Sequence, residues 1–462
     1  MKERMVLIGA GSAMFTRGLV LDLIRKGEET ELALVDTDPE SLEIAERLVH
    51  KMIQSRRAPI TLSASTDRRK VLPGASVIIC TIGVGGRRAW EQDVFIPRKY
   101  GVYQPVGDSV MPGGLSRALR MIPAMVAIAE DARELAPGAL FFNYGNPMTA
   151  VCRAVRKATG APVVGLCHGV NWVGHYLAGA LGVSPQDFSY TAVGLNHLTW
   201  FTEFSIRGVD ATTAMMRAAE ERRPALDPAE LGRSFAEAGT ERREGDKKSE
   251  DSPLSWELFR LFGAFPSALD RHVSEFFPQL CRKGAYYQKT LGVNAFSFEQ
   301  TIAYGDKIFD EMKDRALSSE PLGDDYFEEM GGEHEQVIAI IESIRRDRGN
   351  IYSANLPNQG QVPNLPEDVI LESPARAARG GLHPLPLKPL SDGVLGTVIQ
   401  KLACVETIVE AALEGSRRKF VQALVLDGAL SSPEEAERLA DELLRAQAQY
   451  LPQFSGDASV NA

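Results

Sequence analysis

The 462-residue sequence is poor in cysteine and has no long apolar run, and each absence excludes a class of protein. Its five cysteines are widely scattered and form no Cys-x-x-Cys pair, which argues against a disulfide framework and a zinc ribbon. No apolar run approaches the roughly 18 residues of a membrane span, and the first run is too short for a secretory signal. We therefore expect a reduced, cytoplasmic setting and no membrane partner.

Basic charge is not in excess either. The chain has 51 Lys and Arg against 61 Asp and Glu, a net charge of −10, which argues against a nucleic-acid partner. A local basic site for an anionic small molecule is compatible with this balance. The hydrophobic content of 44% and charged content of 24% are typical of a globular protein with a large core, and the length favours two or three domains.

The first half of the chain alternates short apolar runs with helical patterns. The apolar runs that predict strands are 5–11, 31–36, 59–65, 76–83, 138–147 and 161–166. The helical patterns between them are 16–27, 39–55, 116–135 and 148–159. This alternation predicts an α/β fold with a Rossmann-like, doubly wound parallel sheet that helices cover on both faces.

The pattern changes after about residue 185. Residues 188–208 predict two adjacent antiparallel strands, and the charged run 240–253 predicts an exposed loop. Amphipathic helices follow to the C-terminus. We therefore predict one domain over residues 1–185 and an α+β domain over residues 186–462. The long C-terminal helices favour a homodimer or homotetramer.

A glycine-containing turn follows the first predicted strand and opens a helix. Gly9, Gly11 and Ser12 stand where backbone N–H groups and a helix N-terminus can approach a pyrophosphate. The third glycine of the usual motif is absent, and Phe15 stands near its place. Since many strand–helix turns carry two glycines, this turn alone is weak evidence.

Asp36 strengthens the interpretation because it ends the second predicted strand, 25 residues beyond Gly11. A carboxylate there accepts hydrogen bonds from a ribose 2′-hydroxyl and repels a 2′-phosphate, which favours NAD over NADP. The alternative is that Asp36 caps the helix that begins at Pro39. The predicted cofactor residues are Gly9, Gly11, Ser12, Phe15, Asp36 and Thr81.

A cysteine and a histidine stand at the ends of neighbouring predicted strands. Cys167 and His168 follow the sixth apolar run, and His197 ends the next strand. Ligands of open parallel sheets bind at this edge, and the Cys167–His197 pair could hold one divalent metal with positions left for substrate. The alternatives are that Cys167 is a small core hydrophobe and that the histidines have structural hydrogen bonds.

Two asparagines stand at a third strand end, within NYGNPM at 143–148. Asn143 and Asn146 offer paired donors and acceptors of the kind that a polyhydroxylated substrate needs. The alternative is turn chemistry, which Gly-Asn and Asn-Pro favour for local reasons. The residues alone do not decide between these roles.

Taken together, these motifs resemble glycoside hydrolase family 4 along nearly the whole chain. The motifs that carry the resemblance are GAGSAMFT, PGGLSRALRMIP, NYGNPM, CHGV, GLNH, NLPNQGQVPNLPEDVILESP and ALVLDGALSS. The resemblance implies a fold like that of lactate and malate dehydrogenases, with NAD held by residues 1–185. It also implies that residues 186–462 form the domain that binds the substrate and the metal and mediates oligomerisation.

The family mechanism that the resemblance implies differs from the paired-carboxylate mechanism of most glycosidases. NAD⁺ takes a hydride from C3 of the sugar, which acidifies the proton on C2. A base removes that proton while a divalent metal, usually Mn²⁺, polarises the C2 and C3 oxygens. The aglycone then leaves from C1, water adds, and NADH reduces the ketone again.

Carried over by motif, Cys167 and His197 become the metal ligands. A thiolate is an awkward ligand for a hard ion such as Mn²⁺, so we expect activity to be sensitive to oxidation. Asn146 is expected to bind sugar hydroxyls. His168 stands where some members have the acid that protonates the leaving group, a task that an imidazole can perform.

Two positions depart from the family pattern. Phospho-sugar members have an arginine where this chain has Trp90, so we predict an unphosphorylated substrate beside Trp90. The β-glycoside members use a tyrosine as the C2 base, but the corresponding stretch 268–280 has none. Asp270 is the candidate base and His272 a substrate contact, with Tyr286 and Tyr287 as fallback bases. The alternative for Asp270 is an ordinary helix cap.

The Cys-His-Gly form of the fourth motif resembles members that act on α-linked uronic acids, foremost α-glucuronidases. The pairs Arg282–Lys283 and Arg87–Arg88 could supply a cation for the carboxylate, although such pairs are commonly solvated surface charges. The alternatives are an α-galacturonidase or α-galactosidase of the same family. A 2-hydroxy-acid dehydrogenase or an inert NAD sensor would leave the Cys167–His197 pair without a role.

Overall fold

The computed structural model describes residues 3–222, 252–329 and 336–455, so most of the charged run predicted as a loop, 240–251, lies outside the described residues. The strands are β1 Glu3–Ile8, β2 Thr30–Val35, β3 Ile60–Ser65, β4 Val77–Cys80, β5 Leu140–Asn143, β6 Val163–Gly165, β7 Phe188–Leu195, β8 Leu198–Ile206, β9 Val209–Asp210, β10 Phe265–Pro266, β11 Ala285–Tyr286, β12 Lys289–Thr290, β13 Asn350–Pro357, β14 Ile370–Ala378 and β15 Gly381–Pro384. The helices are α1 Thr16–Lys26, α2 Pro39–Arg56, α3 Gly86–Arg98, α4 Met111–Leu135, α5 Met148–Thr159, α6 Gly169–Ala180, α7 Thr212–Glu221, α8 Pro253–Phe262, α9 Asp270–Phe276, α10 Phe298–Leu317, α11 Asp324–Glu329, α12 Val337–Arg345, α13 Asp392–Glu414, α14 Arg417–Asp427 and α15 Pro433–Ala446.

The first six strands form a parallel sheet in the order β3-β2-β1-β4-β5-β6. This is the doubly wound order, and the predicted strands and Rossmann-like class are confirmed. Ile8, Cys80 and Asn143 lie in one row across the sheet, so the residues that follow them all emerge at its carboxyl edge. α3 was not predicted from the sequence, and α4 begins five residues earlier than predicted, at Met111.

Alternate strand residues pack against helices on opposite faces of the sheet. Val6 and Ile78 belong to a core with residues of α4, α5 and α13, whereas Leu7 and Ile79 belong to a core with residues of α1, α2 and α12. Because both faces are covered, these strands read as continuous apolar runs rather than alternating ones. Within the described ranges, no helix combines the length and apolar character that a membrane span requires.

Strands that follow β6 in the chain extend the same sheet in antiparallel pairs. β13 pairs with β6, and β14, β7, β8 and β10 follow outward to give a 13-stranded sheet that includes β9 and β15. The predicted hairpin of residues 188–208 is confirmed as β7 and β8, joined by the two-residue turn Asn196–His197. The domain boundary near residue 185 stays a prediction, and the sheet runs across it.

A buried ion pair joins α3 to α4. Arg120 donates Nη1 to Asp93 Oδ1 at 2.9 Å and Nη2 to Asp93 Oδ2, and both side chains are fully buried. Ser116 and Gln447 also donate to Asp93 Oδ1, at 2.8 and 3.1 Å. Asp93 therefore connects α3, α4 and the segment after α15 through charge-assisted hydrogen bonds.

We expect Arg120→Met to destabilise the fold strongly, because it leaves the Asp93 carboxylate buried without its counter-charge. Breaking one partner of such a pair typically costs about 3–5 kcal/mol in the free energy of unfolding. Urea denaturation measures the loss. The control is Arg47→Ala, which breaks the exposed pair of Arg47 and Glu43 on α2 and should change stability far less. Equal losses for the two variants would contradict the assignment.

Candidate active site

A glycine turn after β1 packs against the end of β4. Gly9 has a φ of 93°, and a Cβ there would lie 2.8 Å from the backbone nitrogen of Ile82. The Thr81 hydroxyl donates to the Gly9 carbonyl at 3.0 Å and ties the two strand ends together. Glycine alone fits this close approach, which is the feature that lets such turns approach a dinucleotide.

Asp36, directly after β2, contacts the same turn. Its Oδ2 accepts the Gly11 N–H at 2.8 Å, and its Oδ1 accepts the Asp38 N–H at 3.0 Å. Since a carboxylate has about four acceptor positions, it can still accept from ribose hydroxyls. The side chain that caps α2 is Asp38, which accepts the Ser41 N–H, so the alternative role of Asp36 as the cap is wrong.

Ser12 and Phe15 complete the turn before α1. The Ser12 hydroxyl accepts the Phe15 N–H at 3.4 Å, and the Phe15 ring lies 5.3 Å from that of Tyr144 after β5. The structure thus places the six predicted cofactor residues at one edge of the sheet: Gly9, Gly11, Ser12, Phe15, Asp36 and Thr81.

Cys167 and His197 come together from the ends of two different strands, 30 residues apart in the chain. Cys167 follows β6, and His197 lies in the β7–β8 turn with a left-handed φ of 68°. Cys167 Sγ lies 3.7 Å from His197 Nε2. A thiolate and an imidazole nitrogen at this separation suit two neighbouring positions on one divalent ion.

A chain of hydrogen bonds orients the His197 ring. Ser109 donates its hydroxyl to Asp108 Oδ1 at 2.8 Å, and its oxygen lies 2.8 Å from His197 Nδ1. Because the single hydroxyl proton goes to the carboxylate, Nδ1 donates to Ser109 and the lone pair of Nε2 is left facing Cys167. This is the outer hydrogen bond that metal-ligating histidines usually make.

The N-terminus of α6 lies against the Cys167 thiol. Gly169, the first residue of the helix, donates its backbone N–H to Cys167 Sγ at 3.4 Å. A helix N-terminus stabilises a thiolate, which is the form that binds a metal. His168 follows Cys167 directly, and desolvation lowers the pKa of its imidazole.

A compact polar cluster surrounds this pair. The ligand atoms of Asp108, His197 and His272 all lie within 4.8 Å of one another, and the two imidazole rings are 4.0 Å apart. Burial lowers the pKa of His272 well below its usual value and also lowers that of His197. Burial raises the pKa of Asp108, but the two histidines and Arg117 outweigh it and lower it overall.

Two buried polar atoms of this cluster have no hydrogen-bond partner within the described part of the chain. They are His272 Nδ1 and Asn146 Oδ1. The other end of the Asn146 amide donates to Asp108 Oδ2 at 2.8 Å. Asn143, by contrast, uses its amide for the local turn, because it accepts the Gly145 N–H and donates to the Gly145 carbonyl. Unpaired buried polar atoms indicate a place for a polar ligand.

Buried side chains hold the loop that carries Asp108 and Ser109. Glu275 accepts the N–H groups of Val106 and Gly107 at 2.7 and 2.8 Å, and burial raises the pKa of its carboxyl to about 8. Trp90 donates its indole N–H to the Val106 carbonyl at 2.6 Å. Trp90 therefore helps to hold this loop in place.

Asp270, the predicted base, lies elsewhere. Its carboxylate is fully buried and accepts the N–H groups of Leu254 and Ser255 at 2.8 and 2.7 Å, together with the hydroxyls of Ser255 and Tyr286 at 2.6 Å. It thus caps α8, a neighbouring helix, although it is the first residue of α9. All its acceptor positions are engaged, so it does not suit the role of base, and we correct that assignment. Tyr286, a fallback candidate for the base, donates its hydroxyl proton to this same carboxylate.

The predicted cations also have other partners or positions. Arg87 and Arg88 both donate to Asp306, at 2.5 Å each. Arg282 and Lys283 are exposed. None of the four is placed by a described contact against the Cys167–His197 pair.

Comparison with known proteins identifies the chain. The model of the Family 4 glycosyl hydrolase matches residues 4–183, and that of the Family 4 glycosyl hydrolase C-terminal domain matches residues 192–429. The chain belongs to glycosyl hydrolase family 4. The predicted family and the predicted enzyme class, a glycosidase, are confirmed.

Relatives of this family 4 glycosidase carry several substrate names. An alpha-galactosidase of Rhizobium meliloti is 30% identical, with 98% of this chain and 90% of the relative covered. An alpha-glucosidase of Erwinia rhapontici is 30% identical, with 98% and 99% covered. An alpha-galacturonidase of Bacillus subtilis is 28% identical, with 96% and 97% covered. These three share an α-glycosidase name and differ in the sugar, whereas a 6-phospho-beta-glucosidase of Escherichia coli is also 28% identical, with 98% of this chain and 97% of the relative covered.

Solved structures agree on the fold of the family 4 chain. A 6-phospho-alpha-glucosidase from gut microorganisms, solved in complex with NAD and Mn²⁺, has a TM-score of 0.79 at 19% identity and covers 98% of this chain and 100% of its own. A malate dehydrogenase of Cryptosporidium parvum has a TM-score of 0.51 at 15% identity, over 89% and 99%. These likenesses show the fold alone, and they confirm the predicted class.

Sequence reasoning missed the loop residues of this family 4 site, Asp108 and Ser109. A signal was present in VGDSVMPGG, where an acidic residue precedes two glycines. A Cβ at Gly114 would lie 2.4 Å from the carbonyl carbon of Ser109, so the loop can pack against α4 only over glycine. The pairing of Ser109 with His197, 88 residues away, has no local signature.

One further buried carboxyl supports the His197 turn. Glu372 on β14 accepts from the Thr199 hydroxyl at 2.9 Å and from Asn196 Nδ2 at 3.2 Å, while its Oε1 is buried without a described partner. Burial raises the pKa of Glu372 to about 7. The folded state therefore favours the protonated form, and the stability it provides is lost as the pH rises from the unfolded pKa through the folded pKa.

We expect Glu372→Gln to flatten the pH dependence of stability. Between about pH 5 and pH 8 the wild-type free energy of unfolding should fall by roughly 2–3 kcal/mol more than that of the variant. Urea titrations at several pH values measure the difference. The matched control is Glu367→Gln in the preceding exposed loop, which should leave the wild-type pH dependence in place. Parallel curves for wild type and Glu372→Gln would contradict the assignment.

Proposed function

We propose that this family 4 enzyme is an NAD- and Mn²⁺-dependent α-glycosidase that hydrolyses unphosphorylated hexuronides, foremost α-glucuronides. The observation that carries the proposal is the Cys167–His197 pair, 3.7 Å apart, with Cys167 at the same carboxyl edge of the sheet as the glycine turn that suits a dinucleotide. A dehydrogenase of hydroxy acids has no need of this pair.

The donor set fits a divalent metal. His197 Nε2 has a free lone pair because Nδ1 donates to Ser109, and the thiol of Cys167 lies at a helix N-terminus. Two protein ligands leave several positions for substrate oxygens and water. The unpaired Asn146 Oδ1 and His272 Nδ1 are consistent with a polar ligand beside the metal.

The glycine turn fits NAD. The close backbone approach at Gly9 and the acceptor positions left on Asp36 are what a pyrophosphate and a ribose diol need. Bound together, NAD⁺ would accept a hydride from C3 of the sugar, and Mn²⁺ would polarise the C2 and C3 oxygens.

The protein side chains supply the remaining steps. We assign sugar-hydroxyl binding to Asn146, whose amide is fixed by Asp108. His272 replaces Asp270 as our candidate for the base at C2, because its buried Nδ1 has no described partner beside His197. His168, exposed next to Cys167, is our candidate for the acid that protonates the leaving oxygen.

The preference for an unphosphorylated substrate rests on the Trp90 position. An indole stands there in place of a phosphate-binding arginine, and its N–H is engaged with the Val106 carbonyl. The neighbouring Arg87 and Arg88 are paired with Asp306. The second candidate substrate is an α-galacturonide, and the similarity to an alpha-galacturonidase of Bacillus subtilis supports it.

We expect the reduced protein, supplied with NAD⁺ and Mn²⁺, to hydrolyse p-nitrophenyl α-glucuronide faster than the p-nitrophenyl α-galacturonide, α-galactoside or α-glucoside. In D₂O the released sugar should carry solvent deuterium at C2, because the C2 proton is removed and returned. Mass spectrometry and proton NMR measure the incorporation. Hydrolysis without deuterium at C2 would overturn the proposed mechanism.

We expect Cys167→Ser to lose metal-dependent turnover by at least about 100-fold, since ligand and second-sphere changes commonly cost 10–100-fold or more in affinity or activity. The purified variant should also retain less Mn²⁺ than wild type after desalting, as measured by elemental analysis. The control is Cys152→Ser on α5, a buried cysteine outside the cluster. Wild-type metal content in Cys167→Ser would remove this residue from the ligand set.

A further inference from the structure

Arg117, beside the candidate site, forms no ion pair with a carboxylate of the described residues. Arg117 lies on α4 and donates Nε to the backbone carbonyl of Asn146 at 3.0 Å. The side-chain amide of the same Asn146 contacts Asp108. Arg117 is therefore hydrogen-bonded to the loop after β5, whose residue Asn146 we assign to sugar binding.

Two other elements limit where the guanidinium lies. Its carbon is 5.8 Å from the centre of the Trp90 ring, within cation–π distance. Its Nη2 lies 3.4 Å from the point where a Cβ on Gly83 would stand, just after β4. The charged end of Arg117 thus lies between the ends of β4 and β5 and the indole at the predicted specificity position.

The charge of Arg117 is poorly balanced by the protein. Within the described ranges, no carboxylate oxygen lies within 4.0 Å of it, and its two terminal nitrogens donate to no described residue. Arg120, one turn further along α4, is by contrast fully paired with Asp93. Burial and the charge of Arg120 lower the pKa of Arg117, and the charges of Asp108 and Asp93 only partly oppose this.

We propose that Arg117 binds the C6 carboxylate of the sugar and selects uronides over neutral hexosides. This inference rests on the proposed function, since it names the side chain that would recognise the carboxylate of the proposed uronide substrate. A guanidinium whose Nε is already fixed presents its terminal N–H groups in a planar fork, which matches a carboxylate.

The other basic residues at this end of the molecule fit the role less well. Arg87 and Arg88 share Asp306, and Arg282 and Lys283 are exposed. Arg271, beside His272, also has no described carboxylate partner, but its guanidinium donates to the Thr301 hydroxyl at 2.9 Å rather than to the loop of Asn146. The second anion of the reaction, the cofactor pyrophosphate, is assigned to the turn at Gly9, which follows a different strand. Cofactor affinity therefore serves to separate the two anions in an experiment.

The test compares two substrates that differ at C6, p-nitrophenyl α-glucuronide and p-nitrophenyl α-glucoside, on the full-length enzyme. Arg117→Gln should lower kcat/KM for the glucuronide by about 100-fold, the value of a charged hydrogen-bond pair, and lower it for the glucoside by less than about threefold. Arg117→Lys should fall between wild type and Arg117→Gln. The matched control is Arg282→Gln, which should change neither substrate.

A binding measurement keeps the inference separate from the proposed reaction. Calorimetry with D-glucuronate and with NAD⁺ tests Arg117 even if wild type hydrolyses no glycoside, a result that would overturn the proposed function alone. Arg117→Gln should weaken glucuronate binding by about 100-fold and leave NAD⁺ binding unchanged. Equal losses for both substrates, weaker NAD⁺ binding, unchanged glucuronate binding, or a selective loss in Arg282→Gln would overturn the role of Arg117.

Discussion

The hydrogen bond between Ser109 and His197 joins two loops that lie 88 residues apart in the chain, and the rest of the site depends on it. It holds the imidazole with Nε2 toward Cys167, because the serine proton is already given to Asp108. The left-handed turn of His197 alone would leave the ring free to rotate about its side-chain bonds. With the bond in place, a cysteine at one strand end and a histidine at another form a pre-oriented pair.

Holding that bond requires a loop that is itself fixed by buried groups. Glu275 accepts hydrogen bonds from two backbone N–H groups of the loop, and the Trp90 indole donates to the carbonyl between them. The raised pKa of Glu275 indicates that burial disfavours the charged form of this carboxyl. The fold thus buries a group that is more stable in water, and the two hydrogen bonds that this group accepts fix the loop. Such a cost suits a site where small displacements of a ligand reduce activity strongly.

The sequence predicted the fold better than it predicted the site. Apolar runs and helical periodicity located all six parallel strands, because each is buried on both faces and each helix on one. Cys167 and His197 could be predicted as a pair because they end strands and match a family motif, and the structure brings them within 3.7 Å of each other. Asp108 was not found, since its partner Asn146 and the supporting Glu275 are 38 and 167 residues away. Asp270 was misassigned because the helix that it caps precedes it in the chain and leaves no local pattern.

The two arginines of SRALR illustrate why pairing, rather than position, separates a structural charge from a binding one. Arg117 and Arg120 lie on one face of α4, three residues apart, so periodicity treats them alike. Arg120 meets Asp93, which α3 supplies, and its charge is neutralised inside the core. Arg117 meets a carbonyl and an indole, neither of which carries a full negative charge. A half-buried cation in that position gains most from an anion that arrives with the ligand, because only then is its desolvation compensated.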